Sequence, residues 1–150
     1  MKTFLQITAI ALTVALSAFI ASRFDLGKET VILGTDQCPL PATAKCKLGP
    51  SRGKDSLITL KSSALSNKSP FQLEVLLEEN LKALSIEAQF IGIGMELNET
   101  LNFSKSTDSL WKVSGILPFC TLKKMEWKLI LLVETESQKL KFIKNFEVIN

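Results

Sequence analysis

From Ser56 to the C-terminus, apolar side chains recur at every second position in short runs. Phe71, Leu73, Val75 and Leu77 share one parity, with Gln72, Glu74 and Glu78 on the other and Leu76 as the exception. Leu84, Ile86, Ala88 and Phe90 repeat the pattern, followed by Met95, Leu97, Leu101 and Phe103, and then by Trp111, Val113 and Leu117. Met125, Trp127, Leu129, Leu131 and Val133 form the longest example, and Leu140, Phe142, Phe146 and Val148 close the chain. Side chains two apart lie on one face of a pleated strand, so each run offers one face to a core. With residues 57–60 added, the pattern predicts about seven strands, broken by turn-like stretches at 104–109 and 135–138. Short strands at that density predict an all-β domain over residues 56–150, an immunoglobulin-like antiparallel sandwich.

One segment carries both periods. Ser69-Pro70 is a good helix start, and Leu73, Leu76, Leu77, Leu81 and Leu84 then fall on one helical stripe. Alternation continues on both sides of residues 79–82, however, so two strands joined by a turn are the preferred reading.

Upstream the texture is different. No charged residue occurs in residues 3–22, with Lys2 before and Arg23 after. At about 1.5 Å per residue such a helix is about 30 Å long, the thickness of a bilayer's hydrocarbon core. A removed signal peptide is the competing reading, and it wants small residues at the −3 and −1 positions. A cut after Ala21 puts Phe19 at −3, and a cut after Ser22 puts Ile20 there. Ala15 and Ser17 fit the rule but leave an apolar stretch on the mature chain. Residues 1–23 are therefore expected to be one uncleaved N-terminal transmembrane helix in contact with inner-membrane lipid through residues 3–22.

Between them, residues 24–55 hold Pro39, Pro41 and Pro50 out of 5 prolines, and Gly27, Gly34, Gly49 and Gly53 out of 7 glycines. That density of breakers predicts a stalk and not core. Cys38 and Cys46 lie in it, within DQCPLPATAKCK. Pro39 and Pro41 let the chain turn back, so the two thiols can close a disulfide loop, which requires an oxidising compartment such as the periplasm. Two unrelated thiols in a cytosolic linker are the alternative. Lys2 and the amino terminus favour a cytoplasmic N-terminus, while Arg23 and Lys28 dilute that bias. A disulfide breaks the tie in favour of a C-terminal domain on the periplasmic side of a bacterial inner membrane.

Charge and composition exclude several classes. The chain has 18 Lys and Arg against 15 Asp and Glu; setting aside Lys2 and Arg23 beside the apolar run leaves an excess of one. That balance lacks the electrostatic footprint of a nucleic-acid binder. There is no histidine, which removes Ser-His-Asp and Cys-His catalysis and every imidazole metal site. No Cys-x-x-Cys occurs. In GPSRGKDS (49–56) the glycines are too close for a phosphate loop, and Asp55 stands where Ser or Thr should bind the metal. Glu78 with Glu79, and Glu96 with Glu99, are read as solvated surface and not as paired catalytic acids. An enzyme is not expected.

The remaining chemistry is soft. Cys120, Met95 and Met125 carry thiolate and thioether donors of the kind that suit Cu(I). Met95 follows a glycine-rich bend, Cys120 follows Pro118, and Met125 opens the next strand. If those loops meet at one end of the sandwich, the three sulfurs converge. The same residues also serve as ordinary core packing.

The pieces DQCPLPATAKC, FIGIGMELN and WKVSGILPFCTLKKMEW, behind a charge-free anchor, resemble a group of proteobacterial membrane-anchored proteins. These are similar to the FixH and YtkA-like β-sandwich group, which is associated with respiratory oxidase assembly and copper handling. The resemblance implies a membrane-tethered accessory protein working beside a respiratory membrane complex, with Met95, Cys120 and Met125 as the Cu(I) positions and Cys38–Cys46 as the bridge. The group carries more methionines at the bend, where this chain has Met95. From a different class, a non-catalytic structural or interaction module of the envelope, without bound ligand, satisfies the same features by presenting a sheet edge or face to a partner.

Overall fold

The structure is a computed structural model that describes residues 28–34, 38–50, 57–66, 68–118 and 123–149. The expected anchor over residues 1–23 lies outside them. No helix among the described residues is long and apolar enough to cross a membrane. The fold is all-β.

Ten strands follow one another: β1 (Glu29–Gly34), β2 (Ala44–Pro50), β3 (Ile58–Ser62), β4 (Phe71–Leu77), β5 (Ala83–Gly92), β6 (Asn98–Asn102), β7 (Ser104–Lys105), β8 (Leu110–Gly115), β9 (Lys124–Thr135) and β10 (Gln138–Ile149). Their order across the sheet is β6-β5-β9-β10-β1-β2-β3-β4-β8-β7. The halves β6-β5-β9-β10-β1 and β2-β3-β4-β8-β7 meet at a short seam, where Leu33 faces Pro50 and Gly34 faces Gly49. At the far edges β6 runs into β7 through Phe103, whose N–H donates to the Ile86 carbonyl at 3.0 Å. Chain continuity thus brings the outer edges together, and the sheet rolls almost into a barrel.

Alternation decides which faces turn inward. Phe71, Leu73, Val75 and Leu77 of β4 are buried, whereas Leu76 is exposed, so the helical stripe that needs Leu76 and Leu84 does not form. On β9, Met125, Trp127, Leu129, Leu131 and Val133 are all buried, as are Leu140, Phe142, Phe146 and Val148 on β10. Leu84 was expected to share a face with Ile86 but is 55% exposed. The register slips between Ala83 and Ser85 where β5 meets β9, and a bulge sends the flanking side chain to the other face. The buried indole N–H groups of Trp111 and Trp127 have no acceptor among the described residues, at about 1–3 kcal/mol each for an unsatisfied buried donor.

Two expectations are corrected. Over residues 56–150, where about seven strands were expected, the described residues form eight, β3 to β10. The sheet is mixed and not antiparallel, because β1 pairs parallel to β10 from Glu29↔Gln138 to Leu33↔Phe142. The expected stalk over 24–55 contributes β1 and β2, and it buries Leu33, Cys38, Leu40, Ala44, Cys46 and Leu48 in the core. Pro50 is compatible with a strand because it closes β2, where no further ladder bond is required.

Gly115 marks where the two edges approach. A Cβ there lies 2.5 Å from Leu101 Cδ1 and 3.0 Å from Phe71 Cζ. Gly115→Ala is expected to destabilise by about 1–3 kcal/mol through overpacking. Adding Leu101→Ala should return part of that loss, so urea denaturation of the double variant should show a cost well below the sum of the two singles.

Candidate functional site

The chain enters the described fold at one end of the strands. Lys28 Nζ donates to Glu134 Oε1 at 2.9 Å and to the Thr135 carbonyl at 2.8 Å, which fastens it to the β9–β10 hairpin. The same ammonium holds the Glu134 carboxyl below its ordinary range. The hairpin itself is tied by Thr135, whose hydroxyl donates to the Gln138 carbonyl and accepts from the Gln138 N–H.

Met125 lies about 33 Å along β9 from Thr135, opposite Val148. At this far end β5 turns toward β6 through Ile93 and Gly94. Gly94 has φ of +76°, a left-handed conformation that a side chain there resists. The Ile93 N–H donates to the Glu126 carbonyl at 2.8 Å and the Met95 N–H reaches the Gly92 carbonyl at 3.3 Å, so the turn is pinned to β9. A cavity of about 260 Å³ results, lined by Ile93, Gly94, Met95, Lys124, Met125 and Glu126. Met125 is fully buried on the core face, and Met95 is half-buried against the core.

The bend and the start of β9 therefore bring two of the three sulfur-bearing candidates to one cavity. Cys120 lies outside the described residues. The Lys124 ammonium at the rim is turned to Glu147 at 2.6 Å, a contact that raises its pKa. Among the described residues no group of three or more His, Cys, Asp or Glu side chains is placed to hold a metal ion. The donor set here is soft: thioethers suit Cu(I) and offer nothing to Mg²⁺ or Ca²⁺. Ile93, Lys124 and Glu126 were not singled out from sequence. Their only signal is adjacency to the two methionines.

Cys38 and Cys46 form a disulfide, with sulfurs 2.01 Å and Cα atoms 5.1 Å apart. Cys46 points inward from β2, and both cysteines are buried. The loop they close is folded onto the body: the Ala42 N–H donates to the Pro39 carbonyl, and the Leu65 N–H donates to the Pro41 carbonyl at 2.7 Å. The Leu40–Pro41 peptide is cis.

Comparison with protein-family models, curated proteins and solved structures gives no match to this chain.

Proposed function

We propose that the chain is a membrane-tethered accessory protein of the bacterial envelope, with an immunoglobulin-like β body on the periplasmic side and no enzymatic activity of its own. It assists assembly or copper loading of a respiratory membrane complex. The observation that carries the reading is the buried Cys38–Cys46 disulfide inside the β body, which follows closely on a charge-free apolar run long enough to span a bilayer. A buried disulfide that ties the loop before β2 to β2 itself belongs to an oxidising compartment, and the apolar run supplies the tether. On this reading the β9–β10 hairpin, to which Lys28 is fastened, faces the bilayer. The Met95 and Met125 cavity then faces away from it, toward a partner.

Met95 and Met125 are the residues that would hold Cu(I), with Cys120 as the third sulfur; when bound, the ion would be handed on by ligand exchange among soft donors. Titration of the full chain with Cu(I) under reducing conditions, against a competing chelator, tests this. One ion per chain is expected, weakened at least tenfold by Met95→Leu, by Met125→Leu and by Cys120→Ser. Undiminished affinity in all three variants would sink the copper reading.

A further inference from the structure

We propose that the outer face of the β2-β3-β4-β8 half binds an acidic segment of a partner protein. The charged side chains on these four strands are Lys45, Lys47, Lys61 and Lys112 against the single carboxylate Glu74. A chain whose body is nearly neutral thus concentrates a surplus of three positive charges on one face. They are also aligned. Lys45 sits opposite Lys61, Lys61 opposite Glu74, and Glu74 opposite Lys112, so one row crosses all four strands.

Glu74 is already engaged. Lys112 Nζ contacts its Oε1 at 2.7 Å and Lys61 Nζ its Oε2 at 3.9 Å, and the Lys112 hydrogen bond holds its carboxyl below the ordinary range. Lys45 and Lys47 have no acidic partner among the described residues. Like charges directly opposite on neighbouring strands repel, and Lys45 facing Lys61 is such a pair. An anion laid over them relieves that repulsion.

The shape of the face favours an extended peptide. Beside the row runs an open groove of about 460 Å³ lined by Thr43, Lys45, Lys61, Ser63, Gln72 and Glu74, among others, whose hydroxyl and amide groups can meet a peptide backbone. Three strand spacings from Lys45 to Lys112 span about 14 Å, close to the rise of four residues in an extended chain. Carboxylates at i, i+2 and i+4 of such a segment lie over the lysine row. Placement argues against lipid. Gly49 is level with Gly34, and Lys45 lies four residues farther from Glu29, so the row is about 30 Å of strand length from the end where the chain enters. This proposal uses none of the sulfur residues and stands or falls apart from the copper reading.

The test uses the full chain in detergent micelles and a fluorescent peptide with Glu at alternate positions, read by anisotropy. Saturable binding is expected, absent for the Gln analogue and weakening as salt rises. The Lys45→Glu, Lys61→Glu double variant should lose about tenfold or more in affinity. Its Gln counterparts should lose less, and Lys128→Glu on β9 should bind as the parent does. Equal binding of the Gln peptide, equal loss in Lys128→Glu, or attachment to anionic-lipid vesicles without attachment to the peptide overturns the proposal.

Discussion

Phe90→Ala is expected to destabilise the fold by about 3–5 kcal/mol, the range for removing a large buried aromatic. Phe90 is fully buried on β5, and its ring meets Phe71 of the opposite half edge-on at 5.2 Å between centroids. A second edge contact reaches Phe146 of β10 at 6.3 Å. The ring therefore bridges β4 in one half to β5 and β10 in the other, and truncation opens a cavity at the place where the two layers touch. Neighbours anchored in two other strands, β4 and β10, cannot both move in to fill it. Phe90→Leu keeps much of the volume and should cost less. Ile143→Ala is the control: that side chain is 44% exposed on the outer surface of β10, and its removal should change stability by about 0.5 kcal/mol or less. The check is the urea midpoint of each variant at unchanged slope. A Phe90→Ala loss no larger than that of Ile143→Ala would mean that the halves do not pack through this ring.

How much of this was legible in sequence depends on the range of the forces involved. Alternation is local, and β4, β9 and β10 were readable residue by residue, including Leu76 as the outward exception. β2 was equally readable: in AKCKLGP, Ala44, Cys46 and Leu48 alternate with Lys45 and Lys47. The density of prolines and glycines around it obscured the pattern, although Pro50 only ends the strand. Leu84 was misplaced because a bulge is a property of pairing with β9 and leaves no mark on β5 alone. The parallel partnership of β1 with β10 joins opposite ends of the chain, and no periodicity encodes a partner that far away. For the site, convergence of Met95, Cys120 and Met125 was supposed from a bend, a loop and a strand start sharing one end of the fold. Met95 and Met125 line one cavity there, and Cys120 lies outside the described residues. The lysine row was invisible for the reason the parallel pair was. Lys45, Lys61 and Lys112 are unremarkable singly, and only strand order sets them side by side.

Loss of the Cys38–Cys46 bridge carries the other large effect. Closing so short a loop restricts the unfolded chain by about 2–3 kcal/mol on the chain-entropy account. Cys46 is also fully buried between Leu60 of β3, its register partner, and the rest of the core, so Cys46→Ala adds a packing loss for a total of about 3–4 kcal/mol. Cys38→Ala should cost nearly as much. The double variant should cost little more than either single, because both remove the same bond. Reductant should lower the urea midpoint of the parent and leave that of the double variant unchanged. The bond also reports on compartment. Cells lysed directly into denaturant and a heavy maleimide should yield a chain with one adduct, at Cys120. Three adducts would mean that Cys38 and Cys46 are thiols where the protein resides; the stapled core would then be absent in vivo, and with it the reason for placing the β body outside the cytosol.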